Sequence, residues 1–284
     1  MARTNSAQHQ SETGPQPARG GLLMPREHGA YAEVVFPLLT ALGLGRLSAA
    51  QLLLTVATIA VFLAHEPLLI VAGERGKRTL AQLRERAQRA AAALLAFAIA
   101  SGGLGWWSAP ADARLAVFLP LALGALLVPL IFTHREKTTV GELLVALTFS
   151  STLIPVALAG GVSPRNAVTA SGAWCTVFCL GTLTVRAVIA SVKKTINPRW
   201  PSYAIVALSL AAVVAAILLA VTRILPTLAA VSVLPSALVA LACGLLGVHP
   251  RRLRTMGWSL VASNFITLAA LLAGLRKAPL QWYP

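Results

Sequence analysis

Apolar residues run along this chain in nine long blocks, at roughly residues 30–46, 49–72, 87–106, 114–132, 140–160, 167–189, 203–221, 226–247 and 257–275. A helix rises 1.5 Å per residue, so about 20 apolar residues cross the hydrocarbon core of a bilayer. The pattern predicts an all-α polytopic transmembrane bundle of about nine spans. The first block is the shortest, and if it does not cross, the count falls to eight. Breaks fall at helix-ending chemistry: Gly45-Arg46, Gly73-Glu74-Arg75, Trp107 to Pro110, His134 to Lys137, Gly160 to Pro164, Asn197-Pro198-Arg199, Arg223 and Arg251-Arg252. Residues 1–24 are polar, rich in Gly, Pro, Ser and Gln, and lack an apolar run. They predict a disordered cytoplasmic tail rather than a signal peptide, with a helical membrane domain over 25–284.

Composition narrows the class. With 57% hydrophobic and 12% charged residues, a soluble globule with a charged surface is excluded. A net charge of +15 would suit nucleic acid, yet the cations fall in short clusters between apolar blocks, which is the pattern of topogenic charge, and no nucleic-acid partner is expected. Eighteen Lys and Arg lie on the side of the N-terminus and six, Arg46, Arg114, Arg165, Arg223, Arg276 and Lys277, on the other. The positive-inside rule therefore predicts a cytoplasmic N-terminus and, with nine spans, an outer C-terminus. Trp106-Trp107 and Trp282-Tyr283 then fall at the outer interface. Between blocks 2 and 3, Leu80, Leu83 and Ala87 recur at helical spacing among Arg84, Glu85, Arg86 and Arg89. This reads as an extension of the third helix or a helix on anionic headgroups, a lid being the other option.

Four of the five histidines, His28, His65, His134 and His249, end or begin apolar blocks beside cations on one membrane face. Ionisable groups inside hydrocarbon cost on the order of 3 kcal/mol, so those present face a cavity or a partner. Glu33, His65, Glu66 and Arg186 lie deepest. Pro67 is expected to bend or break its helix next to them. His65 or His28 would serve as acid and base, oriented by Glu66 or Glu33. Arg186, Lys193, Lys194, Arg75, Lys77 and Arg135 would bind an anion, with His134, Glu142 and His249 behind them. A structural ion pair is the competing reading for Glu66, and an interfacial anchor for the segment 25–33. Glu142 also suits the start of a helix. No helix carries a His-x-x-x-His pair, so no metal and no cofactor is expected. Cys175, Cys179 and Cys243 fall within apolar blocks and read as packing residues.

Asn264 and the Ser/Thr run 148–152 are the midplane polar features, and back-bonding to its own helix accounts for that run. His65-Glu66-Pro67, His134-Arg135-Glu136 and His249-Pro250-Arg251 close even-numbered blocks at intervals of 69 and 115 residues. Lacking one period, they read as recurrent hairpins rather than a duplication. Three functions are compatible with the sequence: an enzyme or lipid-binding protein with a cytoplasmic pocket for an amphiphilic anionic substrate, phosphorylated or isoprenoid-like; a proton-coupled transporter of a small anion; and a structural or assembly protein without chemistry. The one-sided polarity favours the first, with membrane lipids as surroundings.

The string PREHGAYAEVVFPLLTALGLG, through Pro25, Glu27, His28, Gly29, Ala30, Tyr31 and Pro37, resembles the opening motif of the YwiC-like family of bacterial multi-pass membrane proteins. The segment TVRAVIASVKK, with Thr184, Val185 and Arg186, resembles that family's second basic signature. The resemblance implies a bacterial inner-membrane protein and names no reaction. In span count and in polar motifs at the ends of the second and sixth helices, the chain is also similar to the UbiA prenyltransferase superfamily. There the motifs are aspartate-rich so as to hold Mg²⁺, whereas the single aspartate here, Asp112, falls on the opposite side.

Overall fold

The computed structural model describes residues 23, 28–133, 135, 137–190, 200–246 and 252–276. Its elements are helices: α1 (His28–Leu44), α2 (Ala49–Val71), α3 (Lys77–Ser108), α4 (Ala111–Ala116), α5 (Phe118–Phe132), α6 (Thr139–Ala159), α7 (Pro164–Ala190), α8 (Trp200–Val221), α9 (Thr227–Val231), α10 (Leu234–Leu246) and α11 (Leu253–Arg276). Eight apolar units are long enough to cross a membrane, α4–α5 and α9–α10 each forming one broken span, and α1 is a shorter ninth. The nine apolar blocks thus each become one helical unit.

One expectation is corrected and one is met. Pro67 does not break α2, which runs unbroken to Val71 with Pro67 buried inside it; the missing N–H is tolerated within a packed bundle. The breaks fall instead at Val117 and at Ser232-Val233, where Thr267 Oγ1 donates to the Ser232 carbonyl at 2.8 Å. The connection between the second and third spans is only residues 72–76, because α3 begins at Lys77 and runs as one helix to Ser108. Its first turns are a helical extension and not a separate lid.

The chain alternates direction, so helix ends collect on two faces. On one, the Arg46 N–H donates to the Gly160 carbonyl at 2.8 Å, Asn166 Nδ2 to the Leu275 carbonyl at 3.4 Å, and Arg276 Nε to the Gly43 carbonyl at 2.6 Å. The other carries Lys77, Arg135 and Arg186 and is called here the basic face.

Although short, α1 is the core of the bundle, packing on α6, α7, α11 and α2. Val34, Phe36, Leu38 and Ala41 are buried. Trp174 of α7 lies between Phe36 and Phe178, ring centroids 5.4 and 5.3 Å away, and donates through Nε1 to Thr40 Oγ1 at 2.8 Å. Where α1 ends, Gln51 of α2 is fully buried and donates through Nε2 to the Ala41 carbonyl at 2.9 Å, while Ser48 caps α2 and donates to the Ala159 carbonyl at 2.8 Å. This knot depends on two glycines. A Cβ on Gly45 would stand 2.7 Å from Gln51 Nε2 and 3.0 Å from the Gly160 Cα. Gly45→Ala must therefore push α1 and α6 apart, and a loss of about 1–3 kcal/mol is expected in reversible unfolding in detergent; an unchanged midpoint would show that the contact is slack.

Candidate functional site

Glu66 is the most deeply buried charged residue among those described, 3% exposed. Its partner comes from the turn that follows α2. Gly73 and Gly76 adopt φ of 84° and 89°, conformations that glycine takes without strain, and the Glu74 N–H closes on the Leu69 carbonyl at 3.0 Å. The reversal turns Arg75 back so that its guanidinium grips the Glu66 carboxylate with two nitrogens, Nε at 2.9 Å from Oε1 and Nη2 on Oε2. A fork of this kind satisfies both oxygens of a buried carboxylate. The ion pair expected in the competing reading of Glu66 is present.

A second pair joins two helices. Thr138 caps α6 by accepting the Gly141 N–H at 3.2 Å, which sets Glu142 in the first turn, where a carboxylate suits the helix dipole. Arg186, near the end of α7, donates through Nε to Glu142 Oε2 at 2.5 Å and through Nη2 to the Lys137 carbonyl. This pair is more open than the first: the side chains of Arg186 and Glu142 are 27% and 42% exposed, against 17% and 4% for Arg75 and Glu66.

Three arginines of the opposite face bind differently. Arg114 Nε donates to the Ala109 carbonyl at 2.7 Å and its guanidinium lies 5.8 Å from the Trp106 ring centroid; Arg165 donates to the Ile224 carbonyl and Arg276 to that of Gly43. Each satisfies backbone oxygens at a helix end, where cations complement the dipole.

The remaining predicted residues divide as follows. Tyr31 of α1 packs edge-on against Phe62 of α2, centroids 5.1 Å apart, and Phe62 against Phe149 of α6 at 5.7 Å. That contact fixes the depth of α1. Counting from it at 1.5 Å per residue, His28 and His65 each lie about 5 Å nearer the basic face, so α1 begins at the level of His65 and Glu66 rather than at the end of α2. Glu33 and His65 are partly exposed. Lys77 and Arg135 are exposed at the basic face. His134, Lys193, Lys194 and His249 lie outside the described residues, as does the His28 side chain. Among the described residues no three His, Cys, Asp or Glu side chains are grouped closely enough to hold a metal. The Ser/Thr run of α6 is largely accounted for by back-bonding: Thr148, Ser151 and Thr152 donate to the Leu144, Thr148 and Phe149 carbonyls, each at 2.7 Å. Gln51 is the structural residue that the sequence reading missed; a fully polar side chain inside an apolar block was its signal.

A family model described as YwiC-like protein matches residues 24–158. The match takes in α1 through almost all of α6, including Glu33, the Glu66–Arg75 pair and Glu142, and ends before Arg186. No curated protein and no solved structure matches the chain.

Proposed function

We propose that this multi-pass membrane protein binds an anionic amphiphile at its basic face, that this face is cytoplasmic, and that Arg186 takes the head group. The observation behind the proposal is the contrast between the two kinds of arginine. Arg114, Arg165 and Arg276 of the opposite face donate to backbone carbonyls alone, whereas Arg186 gives one nitrogen to the Lys137 carbonyl and another to a half-exposed carboxylate that an incoming phosphate or carboxylate can replace. Glu142 then acts as an internal competitor, occupying the cation until a head group displaces it. The more enclosed Glu66–Arg75 pair shapes the site and does not exchange. The excess of Lys and Arg on the basic face supports its cytoplasmic assignment.

Binding of hexadecyl phosphate to purified protein in a neutral detergent tests the exchange. Charge-assisted hydrogen bonds to the head predict that Arg186→Gln weakens binding about 10- to 100-fold. Glu142→Gln removes the competitor and should tighten it. Equal affinity in all three proteins, or weaker binding after Glu142→Gln, would refute the exchange.

A further inference from the structure

The broken spans reveal a repeat. Residues 118–134, FLPLALGALLVPLIFTH, and residues 233–249, VLPSALVALACGLLGVH, align without gaps 115 positions apart, sharing Leu119/Leu234, Pro120/Pro235, Ala122/Ala237, Leu123/Leu238, Ala125/Ala240, Leu126/Leu241, Leu130/Leu245 and His134/His249. The same interval separates Gly45 from Gly160, Ser48 from Ser163 and Gln51 from Asn166. The paired residues do paired jobs. Ser48 Oγ accepts the Gln51 N–H at 3.1 Å and Ser163 Oγ the Asn166 N–H at 3.3 Å. The Gln51 amide packs on Gly160, and the Asn166 amide bonds Leu275, which again lies 115 residues on. The two equivalent glycines, 45 and 160, lie against each other. We infer from these correspondences a tandem duplication, α1–α5 and α6–α10, with α11 taking the place of a third first helix.

The two copies differ in how the broken span packs. In the second, α10 packs on both α7 and α8, and Ala237 and Ala240 are 0% exposed against Leu180, Ala187 and Ile205. In the first, α5 packs on α6 and α4, and the identical residues Ala122 and Ala125 are exposed. Apolar residues of α2 and α3 are open too, Leu68 and Phe97 standing where the second copy has Leu183 and Ala212. Val61 and Leu68 on α2 and Phe97 on α3 are 49%, 37% and 55% exposed. His65 occupies the position of Leu180, on the same stripe of α2 as Val61 and Leu68.

We propose that this gap between α5 and the α2–α3 hairpin is a lateral cleft that holds the hydrocarbon chain of the anionic amphiphile, its head turned to the basic face within reach of His65. This inference rests on the amphiphile proposal and adds where the chain lies. The walls are apolar and open into the hydrocarbon layer, and their basic end is ringed by exposed Lys77, Arg78, Arg135 and Lys137, complementary to an anionic head. A histidine where the closed copy has leucine leaves one polar group on an otherwise apolar wall, as a molecule that changes from tail to head at that depth requires.

Hexadecyl phosphate carrying a photoreactive diazirine on its chain tests the cleft in the full-length protein. Adducts are expected on Val61, Leu68, Phe97 and the Ala122–Leu126 stretch. Ala122→Phe/Ala125→Phe should fold normally and weaken binding about tenfold or more by filling the slot, whereas Ala237→Phe/Ala240→Phe should prevent folding. Adducts on α7, α8 or α10, or unchanged affinity in the filled variant, would overturn the cleft while leaving head-group binding intact. Disulfide-linked dimers of Ala125→Cys would overturn it by making a second copy the occupant. Absence of any saturable, Arg186-dependent binding would instead remove the amphiphile proposal itself.

Discussion

Trp174→Ala is expected to lower the stability of the bundle by about 3–5 kcal/mol, the range for emptying a buried aromatic site. Trp174 is 0% exposed, lies between Phe36 and Phe178, and joins α7 to α1 through its bond to Thr40. Because α1 is too short to anchor itself by length alone, the loss should release it from α6 and α7 together. Trp174→Phe separates the two contributions. It keeps most of the stacking and removes one hydrogen bond, worth about 1 kcal/mol, since Thr40 Oγ1 still donates to the Phe36 carbonyl at 2.8 Å. Unfolding by denaturant in mixed micelles reads both variants. Equal losses would mean that the hydrogen bond, not the ring, carries the contact.

Arg75→Ala should be nearly as damaging. It strands the Glu66 carboxylate in a site where its side chain is 4% exposed, and breaking one half of a buried pair costs about 3–5 kcal/mol. The double variant Glu66→Leu/Arg75→Ala removes the stranded charge with its partner and should recover most of that loss. A double-mutant cycle on inserted, folded protein measures the coupling. If the double variant is as unstable as Arg75→Ala, the pair is not what stabilises the end of α2, and Glu66 acts through another group.

Helices were legible because apolar blocks are a local signal, and each block became one helical unit. Glu66 was also legible as a buried charge, since no short side chain can snorkel from that depth. Its partner was not: Arg75 reads as a free surface cation until the left-handed turn at Gly73 and Gly76 folds it back. Arg186 and Glu142 lie 44 residues apart, and nothing in either neighbourhood announces the other. Pro67 misled because proline is costly in an isolated helix, whereas here the break was placed at Val117 and Ser232-Val233. The 115-residue correspondence between the two halves was masked by divergence in their first two helices. It stands out once Gly45 and Gly160 are found close together and the spans beginning at α4 and α9 are found broken near the same point.

The most direct test is the position of Arg186 in a structure of the full-length protein in lipid nanodiscs with hexadecyl phosphate, determined by electron cryomicroscopy. Exchange predicts a phosphate on the Arg186 guanidinium, Glu142 swung away, and the Glu66–Arg75 pair unchanged. An intact Arg186–Glu142 contact, with no phosphate at the basic face under saturating ligand, would contradict it.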